Sequence, residues 1–377
     1  LSTFALDFEK AMIRSIQGSL RFFLVIFTLL NASSKGFASG NNGEFNAGEF
    51  IIHHVSDAHE IHFFGHVAMP LPIIIYDDGV KVFSSSNFYH SEPKKTFNPV
   101  KLKEEEYFQY ENYVLLHEKI YKLSEQELIL DGHGHPQNAS AVFDMSITKS
   151  VFGMFLIMIF LILLFRSAAK KYAANEGKAP SGMQNALEPF ILFVRDEIAK
   201  PSIGHHYERF VPFLLTVFFF IWASNMLGLI PFLGGFNIMG TLSVTMVFAA
   251  GVFILTSING NAHYWGHLLN PPGVPMGIKF ILVPIEVVGI FLKPLVLMIR
   301  LTANITAGHI IILSFVSLIF ILGNNYGAGV GYGVGIGSTA FMVFMNVLEL
   351  LVAFLQAFVF TMLTALMLGS AVEEAHH

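Results

Sequence analysis

Residues 280 to 322 form an apolar stretch of 43 residues, and its length limits what the chain can become. Coiled as one helix it would reach about 65 Å at 1.5 Å per residue. That is twice the roughly 30 Å of a bilayer's hydrocarbon core. A second stretch, Thr339 to Ala371, would reach about 50 Å. Either each stretch divides into two spans, or both lie strongly tilted as a hairpin around the glycine-rich segment Gly323 to Gly337, which reads as the turn. Hydropathy alone leaves both arrangements open.

Composition agrees with a membrane setting. Of 377 residues, 54% are apolar and 13% charged, against about 25% charged in an ordinary soluble domain. The charges are unevenly placed: from Phe210 onward there are only Lys279, Glu286, Lys293, Arg300, Glu349, Glu373 and Glu374. The absence of cysteine removes disulfides and thiolate metal sites. No cofactor, metal or nucleic-acid partner is expected.

The chain reads as three regions. In residues 1–39, Arg14 and Arg21 precede the apolar run Phe22 to Leu30 and a small-residue stretch around Ala38. That run is too short to span a bilayer, and it suits a cleaved signal peptide. Residues 40–145 are polar and mixed, a small extramembrane domain lying outside the membrane if the signal reading holds. Ile73 to Phe83 reads as a hairpin turning at Asp77-Asp78-Gly79. Lys101 to Leu130 reads as a charged helix.

The membrane region follows from residue 146. A first span, Ser150 to Phe165, is followed at once by Arg166, Lys170, Lys171 and Lys178, which the positive-inside rule places in the cytoplasm. Met183, Leu187, Phe190, Ile191, Val194 and Ile198 then recur at helical spacing, as in an amphipathic helix on the inner membrane surface. Spans over Phe210 to Phe232 and Ile238 to Ile258 come next, and Asn259 to Gly277 reads as a Pro/Gly-rich loop holding His263 and His267. With the two long stretches this makes an all-α polytopic membrane protein of about five membrane helices.

Arg300 is the first functional candidate. Guanidinium keeps its proton under all ordinary conditions, and even lenient insertion scales put the cost at bilayer depth near roughly 2.5 to 3.5 kcal/mol. On a helix turning about 100° per residue, Lys293, Arg300 and Asn304 fall within about 40° of Glu286. Four polar groups therefore share one narrow stripe, whose natural partner is protein or water. The bland alternative is a Glu286–Lys293 ion pair beside a snorkelling arginine. His309, nine residues past Arg300, points to the opposite side. Glu349 and Gln356 share a face of the last helix, so a hairpin could bring them against His309, either as a proton relay or as a buried hydrogen-bonded link.

Several segments together carry a family resemblance. They are Lys293-Pro294, Arg300-Leu-Thr-Ala-Asn304, Ala307-Gly308-His309, Leu355-Gln356-Ala357-Phe358, Leu187-Glu188-Pro189-Phe190, Ser224-Asn225-Met226-Leu227-Gly228-Leu229-Ile230-Pro231 and Gly240-Thr241-Leu242-Ser243. In order and spacing they resemble subunit a of the F-type ATP synthase, over about Met183 to Glu374. The resemblance implies that Arg300 faces the buried carboxylate of a rotor subunit, with Asn304 and Gln356 as its polar neighbours. It implies that His309 and Glu349 line an outer-side proton path, with Asn225 near it and Glu286 beside an inner-side one. It also implies a tilted helical hairpin, a bacterial inner-membrane location with a cytoplasmic C-terminus, and partners in a ring of c subunits, b subunits and the remaining Fo and F1 subunits. An acidic residue often follows the asparagine in the family; Gly228 and its neighbours here are uncharged.

Two other classes compete. A self-contained proton-coupled secondary transporter would also bury Arg, Glu and His, but such folds usually carry an internal repeat, and the Arg300 segment has no second copy. A sensor or assembly protein would leave the polar stripe unexplained. In the outer domain, His53, His54, His59, His62, His66, His133 and His135 admit a zinc reading if His59, His62 and His66 share a helix face, or a solvated surface otherwise.

Overall fold

The computed structural model describes residues 46–62, 68–174, 182–230, 235–271 and 273–373. The signal-like segment, His66 and Lys178 lie outside them. After a helix α1 (Ala47–Val55), residues up to 144 build antiparallel sheets. These comprise β1 (Glu60–His62) with β2 (Ala68–Pro70), then β3 (Pro72–Tyr76) with β4 (Val80–Ser84), and, after the short α2 (Ser86–Tyr89), β5 (Lys94–Asn98) through β6 (Lys103–Tyr110), β7 (Tyr113–Leu116), β8 (Lys119–Leu123) and β9 (Ala139–Ala141). The last strand, β10 (Phe143–Asp144), returns to pair with β3.

The β3–β4 hairpin turns at Asp77, Asp78 and Gly79 as the sequence predicts, with Asp78 and Gly79 both at positive φ. The charged helix expected from Lys101 to Leu130 is instead three strands, β6 to β8. The run of charges suggested a solvated helix, but the aromatic and branched residues between them decide the fold. All four residues of β7 are buried: Tyr113 and Leu115 join Ile73, Ile75, Phe88 and Ile120, while Val114 and Leu116 join Tyr107, Leu123 and Leu130. A strand fed from both faces is what alternating side chains produce. His117 and Glu118, at φ 49° and 60°, make the tight turn between β7 and β8, the conformation that matches strand twist.

Among the described residues, five helical stretches are long and apolar enough to cross a membrane. Here α3 (Lys149–Ala174) is followed by α4 (Met183–Leu192), a π-helical stretch (Phe193–Ala199) and the short α5 (Lys200–Ile203), then α6 (Tyr207–Gly228) and α7 (Leu242–Asn259). The amphipathic segment turns Leu187, Val194 and Ile198 inward and leaves Met183 exposed. Its Phe193 ring meets Phe218 of α6 and Phe354 further along the chain. The loop expected between Asn259 and Gly277 contains a helix, α8 (Ala262–Leu269), because Asn261 caps it by accepting from the Tyr264 N–H at 2.7 Å.

Both long stretches are single helices, α9 (Met276–Tyr326) and α10 (Ala328–Val372). The reversal is confined to Gly327, at φ 91°, and the following glycines are helical. They admit close packing: a Cβ at Gly331 would lie 2.9 Å from the Gly323 Cα. The Phe315 and Phe341 rings meet at 4.1 Å further down, so α9 and α10 run antiparallel.

The N-terminal sheet domain is bonded to the bundle. Asp57 Oδ1 accepts from the Ser150 N–H at 2.8 Å, the Ala58 carbonyl accepts from Lys149 N–H at 2.8 Å, and Ser150 Oγ meets Thr241 Oγ1 at 2.9 Å. His59 does not share a helix face with His62, which lies in β1; it is enclosed, 1% exposed, between Glu118 at 3.6 Å and Asp144 at 3.5 Å. His62 itself pairs with Glu60. Burial would push the His59 imidazolium down, but the two carboxylates outweigh it and raise its pKa to about 9.

That shift has a pH signature. With the folded value above the ordinary one near 6.5, the stabilisation is fully present below about pH 6.5 and is lost as pH rises through about 9. Urea unfolding of the domain within the full chain, followed by protection of β6 to β8, should lose up to about 3 kcal/mol across that window. The variant His59→Gln should remove most of the dependence, and equal stability at both ends would mean that the folded histidine is neutral.

Candidate functional site

Helix α9 carries an apolar rib of Leu297, Leu301 and Ile305, exposed by 3%, 1% and 5%. Their spacing of four keeps them on one flank. Lys293, Arg300 and Asn304 lie beside this rib and are exposed on the outer surface of the hairpin. The predicted stripe is therefore real, and it faces outward. Glu286 is half-buried, and its Oε2 meets no hydrogen-bond partner among the described residues. No ion pair joins it to Lys293 among the described residues, so the internal ion-pair alternative fails. Lys293 instead borders a groove of about 520 Å³ between the two long helices, lined by Gly289, Leu297, Leu363, Met367 and Ser370.

On the other side of the rib the helix turns His309 towards α6. A Cβ added at Gly228 would lie 3.3 Å from His309 Nε2 and 2.6 Å from the Phe236 carbonyl oxygen. Only glycine allows this three-way approach. The charge of Lys149, at the start of α3, also bears on the ring. Glu349, 6% exposed, comes against Gly308, the residue before His309. The hairpin could bring His309 against Glu349, but no hydrogen bond joins them: both carboxylate oxygens of Glu349 lack a hydrogen-bond partner among the described residues. The helix phase explains it: Gly308 faces α10, while His309, one residue on, is turned about 100° away.

Gln356, also 6% exposed, and Asn225, 4% exposed, lie in the same interior. Asn225 Nδ2 donates to the Ala353 carbonyl at 3.2 Å, which ties α6 to α10. Polar groups that the sequence reading passed over accompany them. Ser224 and Thr361 are buried with hydroxyls unpaired among the described residues, and Thr245 bonds Thr302 hydroxyl to hydroxyl at 2.6 Å. Lys149, 5% exposed, donates to the His54 carbonyl at 3.2 Å. Tyr264 on α8 lies near enough to Glu286 that burial and this carboxylate push its phenol up. Small hydroxyls on apolar helices carry no periodic signal; their meaning depends on which helix they face. A lysine in the first turn of a span reads as an interfacial residue until another domain covers it.

Chemically, the arrangement offers a permanent cation and an amide on the outside of a hairpin, an imidazole turned towards α6, and a carboxylate between the two long helices. The apolar rib separates the two. Among the described residues, no cluster of three or more histidine or acidic side chains assembles as a metal site.

Comparison with known proteins gives two family matches. Residues 151–369 match the family described as ATP synthase A chain, and residues 50–145 match a domain of unknown function. The chain is 44% identical over 244 residues to ATP synthase subunit a 2 of Chlorobaculum tepidum, covering 63% of this chain and 66% of that protein. It is 42% identical over 241 residues to ATP synthase subunit a of Chlorobium phaeobacteroides strain BS1, covering 62% and 68%. It is 38% identical over 272 residues to the subunit a of Chloroherpeton thalassium, covering 68% and 78%. The chain thus spans about two thirds of the length of the first two relatives.

The glycines at the site separate by what lies over them. In Gly228→Ala the new methyl meets a backbone carbonyl that cannot swing aside, so thermal unfolding of the purified chain should drop by several degrees. In Gly308→Ala the methyl meets the flexible end of Glu349, and the unfolding temperature should change little. Equal losses would show that Glu349 is held as rigidly as backbone.

Proposed function

Because the chain belongs to the ATP synthase A chain family, we propose that this multi-pass membrane protein is the ion-translocating stator subunit of the membrane sector, with Arg300 as the fixed charge facing the rotor. One observation carries the reading. A guanidinium midway along a 51-residue apolar helix is presented to the outside of the hairpin, while His309 lies across the buried rib from it. An exposed permanent charge at that depth is tolerable only against an anionic partner or water, and a lipid-buried carboxylate on a moving ring of c subunits is such a partner.

The mechanism follows from electrostatics. A rotor carboxylate facing lipid is stable only when protonated, because a bare charge there is costly. Beside Arg300 its pKa falls by about 1 to 3 units, and the proton leaves into one half-channel. After rotation it is reprotonated from the other. Asn304 and Gln356 are the polar neighbours of the arginine, His309, Glu349 and Asn225 belong to the outer path, and Glu286 belongs to the inner one. Lys293, at the groove on the arginine side, has a lesser claim. The positive charge between the paths repels a proton crossing directly, so current passes through the ring. Each elementary charge moved through 100 mV supplies about 2.3 kcal/mol.

The positive cluster Arg166, Lys170 and Lys171 at the end of α3 supports a cytoplasmic location for that end. The domain before α3 is then periplasmic in a bacterial inner membrane, residues 1–39 are its signal region, and the C-terminus is cytoplasmic. Two helices of about 77 and 68 Å fit one bilayer only when strongly tilted, as the family resemblance implies. The partners are the c ring, the b subunits and the remaining Fo and F1 subunits. The chain itself carries no nucleotide site in this reading, and its chemistry is proton transfer.

Arg300→Ala should abolish coupled ATP synthesis while the complex still assembles, and normal growth on a non-fermentable energy source would sink the assignment. Exchanging His309 and Glu349 together should be milder than losing either, and equal damage would argue against a shared path. Co-purification with a small hairpin-like rotor subunit separates this reading from a self-contained transporter, which would be fully active alone.

A further inference from the structure

The extramembrane domain, matched to a family of unknown function, reaches the neighbourhood of His309 through a continuous set of contacts. The imidazole of His54, at the end of α1, lies over Gly235, where an added Cβ would fall 2.6 Å from His54 Nε2. Gly235 adopts φ 61°, a conformation suited to glycine. The next residue, Phe236, presses its carbonyl on Gly228, and Gly228 in turn adjoins His309 Nε2. Residues 235 and 236 are thus held between two imidazoles, one exposed on the domain and one inside the bundle. Lys149 is buried at the same junction: it donates to the His54 carbonyl, and its charge bears on His309. Asp57 holds the start of α3 by accepting from Ser150 N–H, and Phe236 also closes on Gly153 of that helix.

We propose that this domain forms the mouth of the path leading to His309, with His54 as its outermost proton-transferring group and Lys149 as the residue that positions it. The imidazole takes a proton from bulk water on one side, releases it towards His309 on the other, and ends neutral. Lys149 fixes the end of α1 through the His54 carbonyl. Its buried charge lies against the path without lending it a proton. The proposal rests on the reading of His309 as part of the outer path.

The test uses proteoliposomes carrying the whole synthase, with the domain facing the acidified side. In His54→Ala the rate of ATP synthesis should fall roughly tenfold, and imidazole added on the domain side should restore most of it. In Lys149→Met, His54 remains but is misplaced; synthesis should fall and added imidazole should help, while Lys149→Arg should behave as wild type. If His54→Ala lowers the amount of complex, the isosteric His54→Gln is read instead, per assembled complex. An unchanged rate, or a loss that imidazole does not restore, overturns the proposal. Arg300→Ala in the same vesicles separates the two readings: an active Arg300→Ala removes the stator assignment, whereas an inactive one beside a normal His54→Ala removes only the role of the domain.

Discussion

A guanidinium cannot shed its proton to suit an apolar surrounding, and the membrane half of this protein is arranged around that fact. Helix α9 keeps Arg300 on an exposed flank while Leu297, Leu301 and Ile305 bury the adjacent one. The rib secures the helix to the bundle, and the charge stands on the flank that the bundle leaves exposed. His309 lies beyond the rib. Because both groups ride on one rigid helix, their separation does not depend on any loop.

Close packing serves the same division. Gly228, Gly308 and Gly331 bring backbone against imidazole, carboxylate and backbone respectively, and small residues are what permit helices in lipid to approach so nearly. The interior is not dry in a chemical sense: Ser224, Asn225, Gln356, Thr361 and Glu349 are all buried there. Unpaired polar atoms are costly in an apolar interior, and among the described residues those of Ser224, Asn225, Glu349 and Thr361 gather on α6 and α10.

How much could be read beforehand varied with the kind of signal. The Asp78-Gly79 turn was legible because its backbone conformation demands those residues. The segment from Lys101 to Leu130 was misread because its charges, Glu104 and Glu106 on β6 among them, share strands with the residues that supply the core, Tyr107, Val114 and Leu116. Gly323 to Gly337 looked like a turn, yet only Gly327 breaks the helix; in lipid a glycine-rich helix keeps its hydrogen bonds because nothing else can satisfy them. At the site, Arg300, Asn304 and Glu286 were visible through their cost and phase. Lys149 was not, because its burial depends on a neighbour distant in sequence, the His54 carbonyl.

By itself the sequence determined that the chain enters a membrane, that two stretches exceed one span, and that Arg300, Lys293 and Asn304 share a helix face. Those are consequences of hydropathy and of a fixed helical repeat, both local properties. Only the tertiary structure decided that the stripe faces outward, that Glu349 lies against Gly308, and that the N-terminal sheet domain closes over Lys149. Each of these depends on how independent helices and sheets are rotated against one another. Packing sets that rotation, and no local periodicity records it.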